Sequence, residues 1–344
     1  VVCVRTKVRA REGDFIETVD ELIFDVKGLV HPPERVVAYL RYVPDLQGGR
    51  IRAGINYRKV YSLYDRAKLL AKRWPHYVWK DPVFGREVQA VPVEMVKEHH
   101  LPTERLAQLR SAVRLNGQER LAVDLTETLA KEAQVPVSKI GLSGSILVGL
   151  QTKGSDIDLI LYGSNASRKC HSRLRSLLET CSQGFRPYTR RELRKLYAQR
   201  ELGAAVPFET FARHERLKVL QGKFKGTEYF MRCVKEWDEW SENYGDRKYS
   251  QVGRATVQGT VSDDRESIFT PCTYYLVDAR ATGKHPAPTE IVSFRGRFCE
   301  QARRGENVLA RGILEKAADE RGVTYRLVVG ENPLDCLVVV GKRE

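Results

Sequence analysis

Two short stretches hold the residues whose types and spacing suit chemistry. In the first, a strand candidate, Ile140-Gly141-Leu142, runs into Ser143-Gly144-Ser145 and a short helical turn. Backbone amides at such a turn are donors without partners, and they cradle phosphate oxygens. Glycine at position 144 lets a phosphate come close to the backbone, and the Ser145 hydroxyl adds a donor. The second stretch is Asp156-Ile157-Asp158-Leu159, eleven residues after Ser145. On a strand, alternation sends both carboxylates to one face and turns Ile157 and Leu159 into the core. Neighbouring carboxylates repel each other unless a cation is present. Hard oxygen ligands so placed suit Mg²⁺ or Mn²⁺, and Mg²⁺ takes its remaining ligands from substrate phosphates. Such ions bridge a triphosphate and activate an attacking hydroxyl. An isolated Asp-X-Asp reads as a turn before an exposed strand. The Gly-Ser turn upstream changes that reading to a phosphate cradle beside a metal site.

The elements that must position these residues follow from periodicity. Leu106, Leu109 and Val113, then Leu121, Leu125 and Leu129, repeat at helical spacing across 103–135, and Pro136 stops the run. Ile157 to Tyr162 is a strand closed by Gly163. Helices are expected from Arg168 to Cys181, Arg190 to Gln199 and Glu209 to Leu220, followed by a strand from Glu228 to Val234. Asp238 to Arg247 is polar and reads as a linker.

The flanks differ in character. Residues 1–102 read as a mixed α/β domain. Phe15–Thr18 and Leu22–Val26 are strand-like, Pro32-Pro33 opens a helix over Glu34–Leu40, and Ser62 caps a helix reaching Lys72 or Arg73. Residues 250–344 alternate short strand candidates with Gly and Pro turns. One pair, 308–314 and 325–330, is a hairpin joined through Asp319–Gly322. This spacing indicates a small barrel or sandwich, and an OB-like barrel is the expectation. The fold class expected is therefore α+β multidomain, with units at 1–102, 103–240 and 250–344.

Composition sets the outer bounds. The 344 residues are 42% hydrophobic and 30% charged, which supports folded cores and excludes a disordered chain. The longest apolar runs, Ile146–Leu150 and Leu337–Val340, are far shorter than the ~20 residues of a membrane-spanning helix. The start, VVCVRTKVRAREGD, has no apolar stretch before a small-residue cleavage site, so secretion is not expected. Seven cysteines form no CxxC pair, and neither a zinc ribbon nor a disulfide framework is expected; a reducing cytoplasm fits. The net charge is +14, which reads either as a charge-rich surface or as a polyanionic partner. Between Arg186 and Lys225, eleven Lys and Arg face four Glu, half of that excess. Beside phosphate chemistry, this run is a candidate face for a nucleic-acid backbone.

Together, Ser143-Gly144-Ser145 and Asp156-Ile157-Asp158-Leu159 resemble the signature of the nucleotidyltransferase superfamily that includes DNA polymerase beta, poly(A) polymerases and the CCA-adding enzymes. The resemblance covers roughly 105–235. The whole chain is also similar to an archaeal-type branch of predicted nucleotidyltransferases. The superfamily resemblance implies a polymerase beta-like catalytic domain and Asp156 and Asp158 as catalytic metal ligands. It also implies a third carboxylate on a later strand. The chain departs from the pattern there, because no Asp stands in an obvious later strand; Glu228 is the candidate. Ser143, Gly144 and Ser145 are assigned to the nucleotide with Lys153 and Ser155, and Lys153 could equally face solvent. The expected reaction moves a nucleoside monophosphate from a nucleoside triphosphate to the 3′ hydroxyl of a nucleic acid, RNA before DNA. Transfer to a protein or small-molecule hydroxyl, or an inactive nucleic-acid-binding protein, are the alternatives.

Overall fold

A computed structural model describes residues 8–200 and 205–341; Cys3, one of the seven cysteines, and Glu201, one of the four Glu between Arg186 and Lys225, lie outside them. Eight strands and one helix lead the chain: β1 (Phe15–Thr18), β2 (Ile23–Val26), β3 (Arg35–Pro44), β4 (Arg50–Arg52), β5 (Ile55–Lys59), α1 (Leu63–Arg73), β6 (Val78–Asp81), β7 (Arg86–Pro92) and β8 (Val96–His100). The strands form one sheet in the order β4-β5-β3-β2-β1-β8, with β7 joining β3 to β6. The expected mixed α/β domain is thus mostly strand, and the helix expected over Glu34–Leu40 is β3. Val36, Val37, Tyr39, Tyr42 and Val43 favour a pleated, half-buried surface, and this outweighs the Pro-Pro signal. Helix α1 does start at the expected cap, where Ser62 Oγ accepts from the Asp65 amide.

The central elements are α2 (Pro102–Ser111), α3 (Gly117–Ala133), β9 (Ile140–Leu142), α4 (Gly144–Leu147), β10 (Ile157–Tyr162), α5 (Ser164–Glu179), β11 (Phe185–Arg186), α6 (Arg190–Gln199), α7 (Phe208–Glu215), β12 (Gln221–Phe224) and β13 (Thr227–Val234). Their strands form a mixed sheet, β11-β12-β13-β10-β9, in which only β10 and β13 run parallel. Helices α3 and α6 begin with capping boxes, Asn116 with Glu119 and Thr189 with Glu192.

The last strands are β14 (Lys248–Asp263), β15 (Cys272–Ala281), β16 (Glu290–Ser293), β17 (Asn307–Asp319), β18 (Gly322–Val328) and β19 (Cys336–Val339). An OB-like barrel is the expectation for them. The strands make a six-stranded sheet, β14-β15-β16-β18-β17-β19, with β14 also pairing β17. Strand β17 runs on through Glu315–Asp319, so β18 and β19 pair with it end to end on one side while β14 lies along the other, and the pairings run round from β14 through β15, β16, β18 and β17 back to β14. Glu315 is buried inside this strand because Arg326 across the hairpin donates to it at 2.9 Å and 3.0 Å. The expected hairpin is present, with Asp319 opposite Gly322. At the β19 end of the sheet, the Val339 amide donates to His214 of α7 at 3.0 Å.

One apolar core runs through the central sheet and the last sheet, from Leu106 to Val339. The first sheet has its own core on one face (Ile16, Phe24, Leu40, Leu70). Its other face packs Phe15, Ile23, Tyr42 and Tyr57 against Leu147, Val148 and Leu150, just after α4. Among the described residues, no helix is long and apolar enough to cross a membrane.

Candidate active site

The Gly-Ser turn and the Asp pair meet at the edge of the central sheet. Strands β9 and β10 pair antiparallel with Leu142 opposite Leu159, and the Ser143 amide donates to the Asp158 carbonyl at 2.8 Å. This register folds the turn back over the start of β10. Gly144 has φ +62, a left-handed conformation that an L side chain adopts at a cost. A Cβ built there would lie 1.9 Å from Asp158 Oδ2. The glycine is needed first by the carboxylate itself, which rests against the turn. Ser145 is buried, and its hydroxyl has no hydrogen-bond partner among the described residues. A buried hydroxyl left without a partner is costly.

Ile157 and Leu159 are fully buried, as the alternation requires, and the two carboxylates share the opposite face. Burial pushes the Asp158 carboxyl up, and repulsion from Asp156 adds to it; Arg232, Lys59 and Arg41 act in the other direction. The pair is thus short of positive charge at contact range. Strand β13 lies beside β10 with Tyr229 opposite Ile157 and Phe230 opposite Asp158. By the same register, Glu228 stands next to Asp156, on the carboxylate face. Its side chain is 43% exposed and pairs with Lys223 at 3.2 Å. Gly296, from the last third of the chain, packs on the Phe230 ring.

The other sequence candidates have different surroundings. Ser143 Oγ donates to the Gly13 carbonyl at 2.7 Å, which ties the turn to the first sheet. Ser155 Oγ accepts from the Thr152 amide at 2.9 Å and so shapes the loop before β10. Lys153 is exposed in that loop.

Sequence reasoning missed the roof. The carboxylate face of the central sheet lies under the first sheet. Arg232 of β13 reaches Glu12 at 2.9 Å and Asp25 at 3.3 Å, and Lys27 completes that buried network. Arg50 donates to the Leu150 carbonyl at the far end of the Gly-Ser turn. Tyr42 of β3 and Lys59 of β5 stand opposite each other on one face, and Lys59 and Arg41 both act on the Asp158 charge. Reading β3 as a strand would have exposed the signal, since Arg41 is a cation inside an otherwise apolar run.

Two further features lie elsewhere. Glu17, Glu98 and His100 place ligand atoms within 4.8 Å of one another, a donor set that could hold a divalent cation. Burial works against the Glu17 charge, but hydrogen bonds from His100, Lys97 and Arg52 hold its carboxyl well below the usual range. A cavity of about 600 Å³ opens between the first and last sheets. Phe84, Trp240, Tyr249 and Tyr275 line it with Arg247 and Arg265. The six described cysteines are free.

The chemistry of the donor set fits a hard divalent ion. Two carboxylates supply oxygens, a glycine brings backbone against them, and the adjoining turn holds a buried hydroxyl without a partner. Residues 125–219, which include both stretches, match the family model of the nucleotidyltransferase domain. Over 334 residues the chain is 32% identical to the uncharacterized protein MJ1086 of Methanocaldococcus jannaschii, covering 94% of this chain and 96% of that protein. No solved structure matches. The chain belongs to the polymerase beta-like nucleotidyltransferase superfamily, in one family with this archaeal relative.

Proposed function

We propose that the protein is a metal-dependent nucleotidyltransferase that moves a nucleoside monophosphate from a triphosphate to the 3′ hydroxyl of a nucleic acid, with RNA as the acceptor. One observation carries the reading: the Asp158 carboxylate lies against the Gly144 turn, beside the buried, unpartnered Ser145 hydroxyl. Phosphate and metal ligands are thereby held side by side. Asp156 and Asp158 would hold Mg²⁺ or Mn²⁺, with Glu228 as the third carboxylate next to Asp156. Bound there, the ion neutralises phosphate charge and lowers the pKa of the acceptor hydroxyl. The acceptor oxygen attacks the α-phosphorus, the bond to pyrophosphate breaks, and the hydroxyl proton leaves toward a carboxylate of the site. Ser145 and the Gly144 backbone orient the phosphates, and the first sheet above them limits water.

Two surfaces support a polymeric acceptor. Helix α6 presents Arg190, Arg191, Arg194 and Lys195 to solvent, and clustered cations of this kind track a phosphate backbone. The cavity of about 600 Å³ sets aromatic rings beside arginines, a combination that stacks bases and holds phosphates. The test is a transfer assay. Each labelled NTP is offered with Mg²⁺ or Mn²⁺ to RNA, DNA and protein. Label in RNA with release of pyrophosphate supports the reading; label in protein alone moves the acceptor to a protein hydroxyl, and no transfer with any NTP removes the enzyme assignment.

A further inference from the structure

The carboxylate pair has two cations near it, Lys59 and Arg41, that no sequence signature accounts for. Strand β3 carries a bulge. Ile23 pairs with Tyr42 and Phe24 with Leu40, which leaves Arg41 as the extra residue between them. A bulge bends its strand and re-aims the side chain at the extra position. Lys59 of β5 stands opposite Tyr42 and shares its face. Tyr42 packs with Leu147 and Val148 of the Gly-Ser turn, so Lys59 is directed to that turn as well. Arg66 of α1 is buried and donates to the Val60 carbonyl at 3.1 Å. Arg295 arrives from the last third of the chain on the turn whose Gly296 rests on Phe230, the residue opposite Asp158.

Among the described residues, none of the side chains of Lys59, Arg41, Arg66 and Arg295 has a carboxylate within ion-pair distance. Asp25 is near, but it is occupied by Lys27 and Arg232. Lys59 has the Tyr61 ring at 5.0 Å and Arg66 the Val60 carbonyl, but neither is a counter-charge, and cations taken out of water without one are expensive to hold. The strain is visible in Lys59, whose ammonium is pushed down to about 8 by burial and then by Arg41, while Asp156 and Asp158 oppose the shift. Arg66 is pushed down to about 9 by burial and again by Arg41. Lys59 and Arg41 face the pair of acids on one side and lack an anion of their own. A chain of phosphates between the two pairs satisfies both, with a metal on the carboxylate side and guanidinium and ammonium donors on the other.

We propose that Arg41 and Lys59 bind the polyphosphate chain of the incoming triphosphate, holding the phosphates that leave as pyrophosphate, so that the first sheet is a working part of the active site. The inference rests on the proposed nucleotidyl transfer and adds residues that the signature does not contain. Phosphate groups of an acceptor strand share this chemistry, and the experiment separates the two sources.

Full-length wild type, Arg41→Met, Lys59→Met, Lys59→Arg and the double Met variant are compared. Affinity is measured for inorganic tripolyphosphate, for ATP with Ca²⁺ and for a labelled single-stranded RNA, together with thermal unfolding. Each Met substitution should weaken tripolyphosphate and ATP binding by roughly tenfold or more, because charge-assisted contacts are lost. Lys59→Arg should keep most of the affinity. RNA affinity should change by less than about threefold, since the acceptor's contacts lie elsewhere. The unfolding temperature should stay level or rise as repulsion is relieved, whereas residues with a merely structural role would lower it. A folded double variant that binds tripolyphosphate like wild type overturns the assignment. Loss of RNA binding with tripolyphosphate binding intact also overturns it, in favour of the acceptor backbone. If wild type itself binds neither tripolyphosphate nor ATP, the proposed transferase function fails together with this inference.

Discussion

At the scale of single residues, the site is organised by one close contact. Asp158 Oδ2 occupies the space a Cβ at position 144 would need. Gly144→Ala should therefore cost about 1–3 kcal/mol, part of it from the positive φ and part from the displaced carboxylate. A double-mutant cycle with Asp158→Ala separates the two, because the cost at 144 should shrink to the backbone part once the carboxylate is gone. Equal costs in both backgrounds, read by urea unfolding, would show that the carboxylate is not what glycine makes room for. The charge of Asp158 has the opposite effect on stability. Burial and Asp156 push its carboxyl up, so Asp158→Asn should leave the unfolding midpoint level or raise it at neutral pH. A clear drop in that midpoint would mean that the carboxylate is a structural ligand of the fold.

At the scale of elements, the readable parts were those whose local signals agree with their packing. Most of the central helices and β10 are legible because their apolar periods match the core they bury, but Val113 is exposed beyond the end of α2 and the helix expected to reach Leu220 ends at Glu215. Ser62 and the 319–322 turn were legible because a cap and a tight turn are written in a few adjacent residues. The stretch 34–40 was misread because Pro32-Pro33 is a local helix signal, whereas the alternation of β3 gains its meaning from the sheet on either side. Arg41 and Lys59 were invisible as site residues for the same reason: they lie far upstream of Asp158, and only sheet packing brings them to it. The first sheet's attachment also carries a pH dependence. His31 uses both ring nitrogens, with Nε2 at 3.0 Å from the Ala10 carbonyl and Nδ1 accepting from the Val37 amide at 3.2 Å. That pattern requires the neutral ring. Burial pushes His31 down to about 4; the Ala10 carbonyl opposes this and His99 adds to it. The unfolded chain then binds a proton that the folded chain refuses. Stability from this group is full above about pH 6.5 and falls progressively to about pH 4, by about 1–3 kcal/mol. His31→Asn should unfold with a flatter dependence over that window. Parallel wild-type and variant curves between pH 7 and 4.5 would contradict the account.

At the scale of the molecule, three sheets meet around the carboxylate pair. The central sheet carries the carboxylates, the first sheet covers them, and the last sheet shares the central core and sets Gly296 on the Phe230 ring opposite Asp158. The positive charge is distributed to match, with a net of +7 between Arg186 and Lys225. If α6 tracks a phosphate backbone, RNA affinity should fall roughly a hundredfold or more between low and near-physiological salt. Neutralising Arg190, Arg191, Arg194 and Lys195 should flatten that slope and leave ATP binding intact. A salt series of fluorescence anisotropy on both proteins measures it, and identical slopes would reduce the cluster to a solvated surface. The central claim is metal-dependent nucleotidyl transfer at Asp156 and Asp158. Its most direct test is the incorporation of α-labelled nucleotide into RNA by wild type and Asp158→Asn, each with Mg²⁺, Mn²⁺ or excess chelator. The account predicts incorporation by wild type with metal, none with chelator, and a loss of at least about a thousandfold in a folded Asp158→Asn protein. Near-normal incorporation by Asp158→Asn would contradict it.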